Sequence, residues 1–368
     1  MAEVAVVSVE VSEKGIDTLY PPSWFDRLKV WVERLPGPAW LFYLGGAVAL
    51  YALRTVLQWL DGSSPTGAFG TSLIFTSAWP WYGLAVMHYL DSAAGRALDT
   101  LRPIFSGTDE ACGEFRYRLT TMPARPALAA GLGALLFGLL VFLVSTFDAN
   151  VLAELESHVA ITFGFGTSLV VLILSLVAVW IVMGLFFYHT IRQMRLVRSI
   201  TTQHTTVDIF QLPPLYAFSR VTAATAVAWS GGLTIGVLTI LTIPQVLADP
   251  FAVAMALGSI LLAVVTFAWP LLGIHSVLEA EKTRLHLDAR ERMKEAMIEL
   301  KRRQDRADYD SVGAMNNALD ALLKHQADLD KISTWPWRTG TVGALATAIF
   351  LPLLLWFLTR ILSQLFGE

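Results

Sequence analysis

His275, Glu279 and His286 would share one face of a helix, and imidazole and carboxylate are metal ligands. Their positions spread over about 16 Å at 1.5 Å per residue, too far for one ion. Glu154, Glu156 and His158 form a second set in one short stretch and could hold a cation only loosely. His88 and Asp91 close an apolar stretch and read as packing or interface residues before a proton relay. Arg54 is the basic residue deepest in an apolar stretch, where a charge is either functional or snorkels to the surface. No glycine-rich phosphate loop, zincin motif or nucleophile elbow occurs. The lone Cys112 allows neither an intrachain disulfide nor a cysteine metal cage. The reading is therefore a non-enzyme with no catalytic, metal or cofactor-binding residues.

The elements that would position these residues are apolar helices. The chain is 55% hydrophobic and only 15% charged, with mean hydropathy +0.55. Soluble domains carry about 25% charged residues. The apolar blocks are long enough for helices that cross a hydrocarbon core, at about 20 residues each. We read an all-α, polytopic membrane protein with seven transmembrane helices, roughly 39–60, 68–91, 126–147, 164–188, 219–243, 251–274 and 339–364. Short loops alternate with long ones (92–125, 189–218 and 275–338). Every lysine and arginine outside the spans lies in the N-terminal segment or a long loop. Arg220 marks the start of the fifth span, and Arg54 and Arg360 lie near the short-loop ends of theirs. The positive-inside rule then places the N-terminus inside and the C-terminus outside. Residues 1–19 lack a basic start followed by an apolar core, so no secretory signal is expected. We expect a prokaryotic inner membrane location.

Within residues 1–38, a tail leads to Pro21-Pro22-Ser23, where Ser23 and Asp26 are spaced as a capping box. The helix that follows puts Trp24, Leu28, Trp31 and Leu35 on one face. It lies either in the membrane interface or on the protein's own cytosolic surface. Residues 39–274 form a six-helix region. Its third span repeats Ala130, Ala134 and Gly138, small residues that allow close helix approach. Its fourth continues beyond the membrane through Arg198.

Residues 275–338 read as a cytosolic helical hairpin of strong helix formers. Leu285, Ala289, Met293, Ala296 and Leu300 make one apolar stripe. Val312, Met315, Leu319, Leu322, Gln326 and Leu329 make a heptad seam, a candidate assembly seam with one polar residue to fix register. That seam closes within one subunit or between several. Residues 276–333 hold eleven basic and twelve acidic side chains, a balance that excludes a nucleic-acid patch. Trp335 and Trp337 flank Pro336 as interfacial anchors before residues 339–368, the seventh helix. There Thr341, Ala348, Pro352, Thr359 and Ser363 recur on one small or polar face, a packing face or a candidate pore face. That helix contains no lysine, which excludes a retinal Schiff base on it.

This arrangement resembles insect odorant- and gustatory-receptor type seven-helix ion channels, with 189–203, 275–303, 312–331 and 339–364 as the matching parts. The resemblance implies a homo-oligomer, a tetramer in that family, whose last helices line a pore. The expected function is a homo-oligomeric channel or channel-like receptor. The alternatives are a membrane sensor or scaffold whose hairpin binds a cytosolic protein, or a transporter. The expected partners are the lipid bilayer, further copies of the chain and a cytosolic protein, with no nucleic acid. A cysteine introduced at Asn150 should react with an impermeant maleimide added outside sealed cells. Reaction only from the cytosolic side would invert the topology.

Overall fold

The computed structural model describes residues 19–146, 167–205, 213–241, 250–306 and 309–335, and single positions between 343 and 361. Among these residues the fold is all-helical, with no strand. The helices are α1 (Trp24–Glu33), α2 (Ala39–Leu60), α3 (Thr71–Leu101), α4 (Asp109–Thr120) and α5 (Ala124–Thr146). They continue as α6 (Thr167–Gln203), α7 (Pro213–Leu241), α8 (Pro250–Asp305) and α9 (Tyr309–Lys331). Among the described residues, four helices are long and apolar enough to cross a membrane: α2, α5, α6 and α8. Their outward surfaces are apolar. Leu44 and Val48 on α2, Leu136 and Leu140 on α5, and Ile173 and Leu174 on α6 are all exposed. A continuous apolar exterior of this kind marks contact with lipid.

Helix α3 sits among the others and packs against α2, α4, α6 and α7. Its middle is the most polar and aromatic of the apolar helices. Those groups are spent on neighbours: Tyr82 donates to the Ala228 carbonyl at 2.6 Å, and Ser77 is fully buried. Pro80 is accommodated inside α3 without ending it.

Helices α5 and α6 pack through missing side chains. A Cβ on Gly184 would overlap Ala130 and Ala134, and one on Gly138 would overlap Trp180. The expected small-residue stripe is thus half of a two-sided contact that α6 completes. α6 is 37 residues long, so it projects past the apolar zone as its sequence suggested.

Helix α8 joins the expected sixth span to the first arm of the expected hairpin. It runs unbroken for 56 residues, with Pro270 inside it. The neighbouring α6 packs closely at this level: Arg198 lies over the Trp269 ring at 5.8 Å, and a Cβ on Gly273 would meet Thr202 and Arg198. Beyond that point α9 folds back on α8. Asp305 ends α8 and Tyr309 begins α9.

Gly184→Val should destabilise the bundle by about 2 kcal/mol, the cost of forcing a branched side chain into a filled contact. The check is thermal unfolding in detergent, with Gly133→Val, which faces open space, as the silent comparison.

Candidate functional site

Lys29 lies off the face of α1 that Trp24, Leu28, Trp31 and Leu35 form in sequence. The structure buries it. Phe25, Asp26, Lys29 and Val32 face inward, while Trp24, Val30 and Trp31 remain exposed. Helix α1 is therefore both seated on the protein and fringed with aromatic surface. Ser23 caps it as expected, and the capping box is complete. Asp26 Oδ2 accepts from Ser23 Oγ at 2.6 Å, from Ser23 N at 3.1 Å and from Met122 N at 3.0 Å. The box thus also fastens α1 to the α4–α5 junction. Met122 O accepts from Ser23 N, and Pro21 O from Ala124 N, which zips the two segments together.

Asp91 is the centre. Its Oδ2 accepts from Lys29 Nζ at 2.6 Å, and its Oδ1 lies 2.8 Å from His189 Nε2. Lys29 also donates to the Thr120 carbonyl at 2.5 Å and lies 3.6 Å from Asp26 Oδ1. Asp91 is 3% exposed and His189 2%, so this pair is shut off from bulk solvent. Four elements meet here: α1 gives Lys29 and Asp26, α3 gives Asp91, α6 gives His189, and the end of α4 gives a carbonyl. Gln193, one turn past His189, donates to Leu90 O at 3.3 Å. Asp26 Oδ1, His189 Nδ1 and Gln193 Oε1 are buried and lack hydrogen-bond partners among the described residues. Burial alone would depress the Lys29 ammonium, but Asp91 and then Asp26 hold it above the ordinary lysine value.

A second branch runs along the same end of the bundle. His88 Nδ1 lies 3.0 Å from the Tyr43 hydroxyl, and its Nε2 lies 3.2 Å from Glu33. The sequence singled out His88 and Asp91 together, as packing or interface residues before a proton relay. The structure puts both in one polar layer closed by α1, and the missed members were Lys29, Asp26, His189 and Gln193. One signal was present: Phe25, Lys29 and Val32 are spaced i, i+4, i+7, a buried stripe with a cation in it.

Other expected residues fall elsewhere. Arg54 is 3% exposed and turns onto α3, donating to Thr76 Oγ1 at 2.8 Å and Ser77 Oγ at 3.4 Å. It does not snorkel outward. At that end of the bundle Asp61 receives Thr167 Oγ1 at 3.0 Å and the Ser168 N–H at 2.9 Å, so the end of α2 caps α6. These Ser168 bonds hold the Asp61 carboxyl below its usual value.

In the hairpin, Ala289 and Leu329 are buried, and Leu285, Met293, Ala296, Leu300, Met315, Leu319, Leu322 and Gln326 are half-buried. Val312 lies on α9. Lys282 caps the end of α9 by donating to Asp330 O at 3.0 Å and Ile332 O at 2.8 Å. His275 stacks on Trp335 at 3.9 Å, and its Nδ1 lies 3.1 Å from Thr334 O. His275, Glu279 and His286 do not converge: His286 pairs with Asp330 at 3.4 Å, and no metal-binding group exists among the described residues. Glu154, Glu156, His158, Trp337 and the whole candidate pore face, Thr341, Ala348, Pro352, Thr359 and Ser363, lie outside the described residues.

Together these observations define an all-helical protein of membrane type with a buried ionic layer at one end. No family model, curated protein or solved structure matches the chain.

Asp91→Asn should cost about 3–5 kcal/mol, because it strands Lys29 in an apolar bundle. Lys29→Met with Asp91→Leu should recover most of that loss. The Lys29 contribution is complete below the unfolded lysine pKa of about 10.4 and fades as pH rises through the higher folded value. Unfolding midpoints of the wild type and Asp91→Asn should therefore converge above that pH.

Proposed function

We propose that the chain is a seven-span integral membrane protein, N-terminus in the cytosol, that assembles with copies of itself through its cytosolic hairpin. In that role it is a membrane-embedded sensor or channel-like receptor of a prokaryotic inner membrane. The threading is supported by the basic-residue bias of the long loops. It is supported also by geometry: Lys29 of α1 meets Asp91 of α3 and His189 of α6 near the expected inner ends of the second and fourth spans, while Asp61, just past α2, holds the start of α6.

One observation carries the assembly reading. After α9 has closed on α8, the most charged part of the chain still exposes Leu287, Met297, Ile298 and Leu323. Met293, Met297 and Ile298 line a shallow cavity of about 420 Å³, rimmed by Arg290, Lys294 and Lys301. Apolar side chains left on a solvated hairpin gain from burial against a partner. The mixed, nearly neutral surface of residues 276–333 lets a second copy approach without like-charge repulsion. The half-buried heptad positions of α9 can add to the same contact. Ion passage along Thr341, Ala348, Pro352, Thr359 and Ser363 is the extension of this reading, and it rests on helical periodicity in the sequence.

In mild detergent the wild type should run as an oligomer by light scattering and native mass spectrometry. Met297→Asp with Ile298→Asp should shift it toward monomer, with association weakened roughly tenfold or more per anchor lost. A monomeric wild type, or an oligomer unmoved by the double variant, overturns the proposal. A liposome flux assay then separates the two roles: flux that disappears with assembly supports conduction, and an intact oligomer that passes no ions removes it.

A further inference from the structure

A cavity of about 570 Å³ lies where α4, α5 and α6 meet, beside the segment that precedes α1. Its polar end is formed by Arg118, Arg192 and Arg195, and its apolar wall by Ala130, Phe187 and Ile191. No acidic side chain lines it. Glu114 pairs with Arg118, one turn away on α4. Arg192 is held by a neutral partner, donating to the Tyr20 hydroxyl at 2.5 Å with its guanidinium 5.6 Å from that ring. Tyr20 is itself fixed, donating to Thr121 O at 2.9 Å and accepting at its carbonyl from Tyr117 at 2.7 Å. Arg195 is exposed. Three cations thus meet one carboxylate, and guanidinium groups suit phosphate oxygens.

The apolar wall decides the class of ligand. Phe187 is 45% exposed, and Leu128 and Leu132 on α5 are exposed beside Ala130. The cavity therefore opens where the lipid-facing surface of α5 and α6 gives way to arginines. A free phosphate needs no such wall, whereas a phospholipid fills both ends. Basic pockets between membrane helices at the level of the headgroups take anionic lipids in this way. We propose that this cavity binds the phosphate of an anionic phospholipid, with Arg192 and Arg195 on the headgroup and an acyl chain along Phe187 and Ala130.

The test uses the full chain in nanodiscs of mixed phosphatidylglycerol and phosphatidylcholine, with bound lipid read by native mass spectrometry after release. Phosphatidylglycerol should be retained over phosphatidylcholine, and Arg195→Gln and Arg192→Gln should each weaken retention roughly fivefold. Arg195→Gln leaves the Arg192–Tyr20 bond in place and so keeps the local fold. Arg220→Gln, outside the cavity, should change nothing. Equal retention of the two lipids, or retention unmoved by both cavity variants, overturns the proposal. So does inorganic phosphate stabilising the detergent-purified protein as strongly as phosphatidylglycerol, which would mark a free-phosphate site. The hairpin double variant should keep its lipid, so failure of assembly and failure of this site give different results.

Discussion

A lysine and two carboxylates cannot be left in an apolar bundle unless each finds a partner, and that requirement organises one end of this molecule. Asp91 alone would be ruinous on α3. With Lys29 and His189 against it, it becomes the point at which α1, α3 and α6 must register. Each partner comes from a different element, so the layer ties α1, α3 and α6 together. Helix α1 is only ten residues long, and Phe25 and Val32 are the apolar side chains it buries fully. What seats it is this pairing, together with a capping box whose carboxylate is shared with Met122. Such layers often add less stability than a well-packed apolar one would, but they penalise wrong arrangements severely.

The opposite end uses a milder version of the same logic. Asp61 caps α6, and Arg54 sits against two hydroxyls of α3. Between the two ends the bundle relies on shape: glycines and alanines let α5 and α6 approach, and Tyr82 and Trp229 lock α7 to its neighbours by single hydrogen bonds. Buried hydroxyls within the helices, such as Ser175, Thr225, Ser230 and Thr266, mostly bond back to carbonyls of their own helix, as a low-dielectric surrounding demands.

Much of this was legible from residues alone because membranes and helices impose simple periods. Hydropathy and charge bias marked the long helices, and the stripes at Leu285–Leu300 and Met315–Leu329 follow the positions that the hairpin half-buries. Ser23 and Asp26 revealed their cap by spacing. The ionic layer was not legible, since its members are Lys29, Asp91 and His189, far apart in sequence and individually ordinary. Lys29 looked like a surface charge because propensity rules assign lysine outward; the fold overrides them with partners that no local window contains.

The continuity of α8 has a mechanical meaning. Its half beyond His275 is a rod of about 45 Å at 1.5 Å per residue, rooted among α6 and α7. A tilt of about 10° at the root would carry the tip through roughly 8 Å, so the rod acts as a lever with the bundle as fulcrum. Pro270, where one backbone hydrogen bond is absent, is the place where that lever bends most cheaply. A tilt of that size would move Met297 and Ile298, about 33 Å along the rod, by roughly 6 Å.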